Sequence, residues 1–168
     1  EKATGEIMAG AGVGTDGTSF QFSVNENNWL GRGIKLESSV AVSAEQFSGS
    51  IMAKNPNYNF SGNAVNASLD VSSTDRTATT GYKSSRTGAG LGTAFEQYEN
   101  IYISPELNIS HEDIEAESTA SSNIQKMDGT YFNSDLVYSI ILDKRNQSFA
   151  PTEGYRASFT QSLPIIQD

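Results

Sequence analysis

Cysteine is absent from the 168 residues, so neither a disulfide framework nor a thiolate metal site is available. Histidine occurs once, at His111, which removes His-cluster metal sites and two-histidine catalysis. No apolar run approaches the roughly 18 residues that a membrane-spanning helix needs. Positive charge is scarce: 11 Lys and Arg stand against 20 Asp and Glu, for a formal net charge of -9. That balance argues against nucleic acid as a partner, which rewards a basic face. Charged residues make up only 18% and hydrophobic ones only 36%, and Ser, Thr, Asn and Gly fill the gap. Such a mix needs a fold that can use polar residues at half of its positions. The opening Glu1-Lys2-Ala3-Thr4 lacks the basic start and apolar core of a signal peptide. The expectation is that a leader has been removed or that the sequence begins in mid-protein. The length suits one domain or part of one.

Helical periodicity is also missing, and period two dominates instead. Ile7, Ala9, Ala11 and Val13 alternate with Met8, Gly10, Gly12 and Gly14. After a turn at Thr15-Asp16-Gly17 come Phe20, Phe22 and Val24, then Ile34, Leu36, Val40 and Val42. Shorter runs hold Ile51 with Ala53, and Val65, Ala67, Leu69 and Val71. Ala89, Leu91 and Phe95, then Ile101, Ile103, Leu107 and Ile109, continue the series. Leu136, Tyr138, Ile140 and Leu142, and finally Tyr155, Ala157 and Phe159, complete it. Successive side chains of a strand point to opposite faces, so each run is a strand with one apolar and one polar face. The expected fold is an all-β antiparallel meander of about nine strands.

The connections alternate in character. Those after the even strands carry Asn, Pro, Gly and aromatics: Asn27 to Gly31, Asn55 to Phe60, Phe95 to Tyr98, and Phe149 to Pro151. Those after the fifth and seventh are expected as long polar loops, Ser72 to Ser85 and Glu112 to Thr130. Alternate turns of a meander share one end, so one end carries an aromatic belt. Trp29, Tyr58, Phe60, Tyr98 and Phe149 read as anchors at a membrane–water interface.

Period two alone fits a soluble β-sandwich or ligand-binding barrel as well as a transmembrane barrel. Three observations favour lipid: runs of roughly 8–11 residues, near the length a tilted strand needs to cross a bilayer; aromatics gathered at one end; and an opposite face rich in Ser, Asn, Gly, Thr and charge, suited to a wet lumen. In lipid, each unpaired backbone group of a sheet edge costs several kcal/mol, so two open edges cost on the order of tens of kcal/mol. An odd strand count also departs from the even counts of bacterial single-chain barrels. The chain stops at Ile165-Ile166-Gln167-Asp168, read as lying just after the ninth strand. The expectation is part of a larger barrel.

Several segments resemble the barrel of the BamA family of outer-membrane protein assembly factors. They are Gly12 to Gly17, Phe20 to Gly33 with Asn28-Trp29-Leu30-Gly31, and the Asn55-Pro56-Asn57-Tyr58 turn. The fullest match is Asp143 to Arg156, similar to the family's D-x-R…P-T-x-G segment between two strands, through Asp143, Arg145, Pro151 and Gly154. These motifs are less specific for BamA over its autotransporter-assembly relative TamA. The resemblance covers essentially the whole chain but only the N-terminal half of a barrel of about sixteen strands. By this resemblance, the family's POTRA domains and its C-terminal barrel half are expected to be absent from residues 1–168. It implies insertion of nascent β-barrel proteins into the bacterial outer membrane through a lateral seam, with no catalytic residue, metal or other cofactor. Implied partners are those nascent proteins, outer-membrane lipid and lipopolysaccharide, and accessory lipoproteins reached through POTRA domains. Asn28, Gly31, Asn55, Pro56, Asp143, Arg145, Pro151 and Gly154 would then mark periplasmic turns.

The resemblance places the seam at the first strand, where Glu6, Ile7, Met8, Ala9, Gly10, Ala11, Gly12 and Val13 would pair with an incoming strand. Strand addition uses main-chain hydrogen bonds. The alternating glycines weaken the strand and its register, which suits one that must detach and re-pair. They are equally compatible with relief of crowding in a curved wall. Gly12 to Gly17 fits GxGxxG by letter, but a strand pattern follows where a dinucleotide site needs a helix. His111-Glu112-Asp113 with Glu115 and Glu117 lacks metal-loop spacing and reads as a solvated acidic loop. A weaker reading has these carboxylates engaging divalent cations near lipopolysaccharide. A small passive porin or adhesin-like barrel and a soluble ligand-binding barrel stand as alternatives from other classes.

Overall fold

The computed structural model describes residues 4–14 and 17–168. Nine strands form one antiparallel sheet in chain order: β1 Gly5–Gly14, β2 Gly17–Trp29, β3 Ile34–Ser43, β4 Gln46–Asn55, β5 Ala64–Arg76, β6 Tyr82–Tyr98, β7 Ile101–Ala116, β8 Gly129–Asp143 and β9 Arg156–Gln167. A 3-10 turn at Tyr58–Phe60 and a short helix α1, Ser122–Gln125, interrupt the meander. Every strand falls on a period-two run, and the all-β meander is the observed fold. The sheet is open, with β1 and β9 at its two edges.

Register explains why the alternation matters. One cross-strand row runs Leu36, Ala53, Ala67, Leu91, Leu107, Leu136, Leu163 and is apolar from β3 to β9. The adjacent row on the other face runs Lys35, Lys54, Asn66, Gly92, Glu106, Val137, Ser162. A slip of one residue in any strand would put its apolar set on the polar face.

Nothing covers the apolar face. Phe20, Leu69 and Leu91 are 60–64% exposed, and Ala120 is the only buried apolar residue among those described. A soluble sandwich would bury such side chains against a second sheet. A single layer with one apolar face matches a barrel wall turned toward hydrocarbon. No described helix is long and apolar enough to cross a membrane.

The structure corrects several boundaries. The expected long loop Ser72 to Ser85 shrinks to 77–81, and Glu112 to Thr130 shrinks to 117–128, because β5 to β8 extend well past their apolar runs. A ladder is held by main-chain bonds, so it continues where both faces become polar, as in Thr74↔Ser84 and Lys83↔Glu115. Asn27 to Trp29 and Phe95 to Tyr98, expected in turns, lie in β2 and β6. Tyr155 precedes β9, which runs on to Gln167 and takes in Ile165 and Ile166. The turn expected at Thr15-Asp16-Gly17 has its first two residues outside the described ones, as do Glu1 to Ala3.

The acidic run His111 to Glu115 is likewise strand rather than loop. His111, Asp113 and Glu115 share one face of the strand, opposite Thr87, Ser85 and Lys83, while Glu112 lies on the other face opposite Arg86. No cluster able to hold a metal occurs among the described residues.

Candidate functional site

β1 pairs with β2 from Gly5↔Glu26 to Gly14↔Gly17, and its other edge has no partner strand among the described residues. Glu6, Ile7, Met8, Ala9, Gly10, Ala11, Gly12 and Val13 all lie on this strand, and all are exposed. Ile7, Ala9, Ala11 and Val13 share the apolar face with Val24, Phe22 and Phe20, while Met8, Gly10 and Gly12 share the polar face with Ser23, Gln21 and Ser19. Thus β1 presents main-chain donors and acceptors beside a half-apolar ribbon, the arrangement that strand addition uses.

The glycines of β1 sit in open space. A Cβ on Gly10 or Gly14 would meet nothing within 4 Å, and one on Gly12 would meet only Ser19 Oγ at 3.2 Å. On the β2 side, then, crowding does not account for Gly10 or Gly14, and a sparsely packed ladder is their physical effect there. One end of β1 is tied down through Thr4, which no sequence pattern marks. The Thr4 carbonyl accepts both the Asn27 backbone N–H at 3.0 Å and the Asn27 side-chain amide at 3.1 Å. Only the register reveals this clamp, since the two residues lie 23 apart.

The connections after β2, β4, β6 and β8 share one end and hold the remaining candidates. Asn28 accepts the Gly33 N–H at 2.6 Å, and Gly31 takes φ +70° between them. Asn55 accepts the Asn57 N–H at 3.1 Å across Pro56, and Asn57 in turn accepts the Gly62 N–H at 2.8 Å. Asparagine side chains thus stand in for backbone carbonyls and lock these turns. All five described non-glycine residues with positive φ are here: Leu30, Asn59, Phe60, Asn100 and Ala150. Trp29, Tyr58, Phe60, Tyr98 and Phe149 are exposed at this end, Phe60 by 94% and Phe149 by 90%.

The β8–β9 connection is held by charge as well. Just beyond the last apolar residue of β8, Arg145 forks onto Asp143, Nε to Oδ1 at 2.8 Å and Nη2 to Oδ2 at 2.6 Å. Arg156, opposite Asp143 in the ladder, adds a contact at 3.7 Å. The Arg145 hydrogen bonds, aided by the charge of Arg156, pull the Asp143 carboxyl down to about 2. Asn146 accepts the Thr152 and Glu153 N–H groups at 3.3 and 3.4 Å around Ala150-Pro151. Gly154 takes φ +89°, and a Cβ there would run into the Lys144 carbonyl, so only glycine fits.

A model of the Omp85 superfamily domain matches residues 28–167. The chain belongs to the Omp85 superfamily. The crystal structure of BamA from Haemophilus ducreyi lacking POTRA domains 1–3 superposes with a TM-score of 0.66 at 21% sequence identity. That alignment covers 98% of this chain and 35% of the BamA chain, so this Omp85 sheet spans about a third of that structure's length. The likeness shows a shared fold. The superfamily match begins at Asn28, so for β1 it is the structural likeness that extends over the strand.

Proposed function

We propose that this chain forms barrel wall of a bacterial outer-membrane protein insertase. It acts without a catalytic residue or cofactor, by offering the free edge of β1 as a template for an incoming β-strand. The observation that carries this reading is the state of β1: an outer edge with no partner strand among the described residues, Gly10 and Gly14 meeting nothing across the ladder with β2, and a Thr4–Asn27 clamp at one end. An incoming strand gains main-chain hydrogen bonds at that edge, which in lipid are worth several kcal/mol for each group otherwise left bare. Few side-chain contacts have to be broken to admit or release it.

On this reading the apolar face meets outer-membrane lipid, the polar face lines the lumen, and the aromatic-end turns face the periplasm. The partners are nascent β-barrel proteins, lipid and lipopolysaccharide, and accessory lipoproteins recruited through POTRA domains. Single cysteines at Ala9 or Ala11, paired with cysteines in a stalled substrate strand, are expected to form disulfides in membranes. Absence of crosslinks at every position from Glu6 to Val13 would exclude β1 as the template.

A further inference from the structure

We infer that Glu26 is a positioning residue for the proposed template: its carboxylate fastens the start of β1 to β2, so that this end of the outer edge is held ready for an incoming strand. Glu26 lies opposite Gly5, on the face that carries Ile7 and Val24, three residues before Trp29. It is half-buried, although every residue of β1 is exposed. The inference rests on the template reading of β1 and adds a residue of β2 to it.

An irregularity in β2 builds this contact. The β2–β3 ladder pairs Glu26 with Leu36 and Trp29 with Ile34, so Asn27 and Asn28 together face the single residue Lys35. Such a bulge leaves one residue out of the ladder and re-aims its neighbours. Glu26 Oε1 accepts the Asn28 N–H at 2.8 Å. Asn27 turns both its backbone N–H and its side-chain amide to the Thr4 carbonyl, at 3.0 and 3.1 Å. The Thr4 side chain bonds the Glu26 carboxylate in return. The second carboxylate oxygen lies over Gly5, where a Cβ would stand 2.8 Å from Oε2. A side chain at position 5 would displace the carboxylate, so Gly5 serves a close approach. Gly10 and Gly14, which meet nothing from β2, do not.

Residues of an antiparallel strand alternate between those whose main-chain groups bond one neighbour and those whose groups point the other way. The bond from Asn27 to the Thr4 carbonyl puts Thr4 in the first set, so Gly5, Ile7, Ala9, Ala11 and Val13 turn their N–H and C=O groups to the outer edge. The far end of β1 is held by the Gly14↔Gly17 pair. A strand opens most easily at an unfastened end, and without Glu26 that end is Gly5 to Ile7. With it, the first groups of the edge stand in place before a strand arrives, which spares the encounter the entropy of ordering them. On the template reading the aromatic end faces the periplasm, so the fastened end is the one a strand from that side meets first.

The test uses the full-length protein in its native membrane. Ile7→Cys and Ala11→Cys, each set against cysteines along a stalled substrate strand, report the fastened end and the middle of the template separately. Adding Glu26→Ala should lower the disulfide yield at Ile7→Cys several-fold and leave that at Ala11→Cys unchanged. Glu26→Gln, which keeps the acceptor for Asn28 and the same reach, should retain most of the Ile7→Cys yield. Gly5→Ala, a one-methyl change that displaces the carboxylate, should repeat the loss and serves if Glu26→Ala folds poorly. Amide hydrogen exchange without substrate should quicken in Glu26→Ala and Gly5→Ala at Gly5 to Ile7, with β3 and β4 unchanged. Unchanged exchange in both variants, or equal loss of disulfide at the two positions, would overturn the positioning role. Quickened exchange in a protein that forms no substrate disulfide anywhere on β1 would leave Glu26 fastening the strand and overturn the template reading instead.

Discussion

β1 and β6 carry the same alternating glycines in opposite surroundings. In β6, Gly88, Gly90 and Gly92 face the polar side, and side chains from β5 and β7 lie across them. A Cβ on Gly90 would stand 2.6 Å from both Ser68 Oγ and Asn108 Oδ1, one on Gly92 2.7 Å from Asn66 Oδ1, and one on Gly88 against the carboxylate of Asp70. The space is used: Arg86 bonds Asp70 at 2.7 Å and Asn66 bonds Glu106 at 3.2 Å, the latter reaching across Gly92. In β1, which has a neighbouring strand on one side only among the described residues, Gly10 and Gly14 meet nothing from it. One glycine series makes room for a polar network across three strands, and the other leaves the β1–β2 ladder sparsely packed. The same letters at the same spacing thus serve packing in one place and looseness in another.

Substituting within the two series separates these roles. Gly90→Val should have the largest effect, lowering stability by about 1–3 kcal/mol through overpacking. It should be seen as a drop in the denaturant midpoint of the folded protein in detergent. Ser68→Gly should recover part of that loss, because Ser68 Oγ is one of the two atoms met. Gly10→Ala should instead be neutral or stabilise by up to about 1 kcal/mol, through the unfolded chain, while slowing substrate insertion. Equal destabilisation by Gly10→Ala and Gly90→Ala would erase the distinction between the strands.

The smallest effect lies at a turn that neither series touches. The Asp143 carboxyl sits near 2 in the folded protein against an ordinary 3.8. Its contribution to stability is therefore complete above about pH 4 and is lost as pH falls through 4 toward 2. Asp143→Asn should flatten that part of the pH–stability curve while leaving the glycine effects unchanged.

Much of this fold was legible in the alternation. Nine runs gave nine strands, because a sheet with one apolar and one polar face forces period two, and a row such as Leu91–Leu107–Leu136 keeps the apolar set on one side. The ends of β5 to β8 were not legible, since Ser84, Asp113 and Thr130 continue the ladder with no apolar face to mark it. Gly10 and Gly14 were visible as a pattern, but their difference from Gly88 and Gly90 depends on which side chains neighbouring strands bring alongside. The Glu26–Gly5 contact and the Thr4–Asn27 clamp were hidden for the same reason: both join residues far apart in sequence that only register makes adjacent. The asparagine locks were present as letters in the turns, though which carbonyl each one replaces is a matter of geometry.

The gathering of left-handed residues at the aromatic end bears on the order of assembly. Leu30, Phe60 and Ala150 each hold a backbone conformation that costs of order 1–3 kcal/mol and persists only when its surroundings impose it. Such corners are poor nuclei. The tight β3–β4 connection at Ala44-Glu45, at the opposite end, contains none of them. Hairpins closed at that end should therefore form early as independent units, and the aromatic end should be the late step that joins one hairpin to the next.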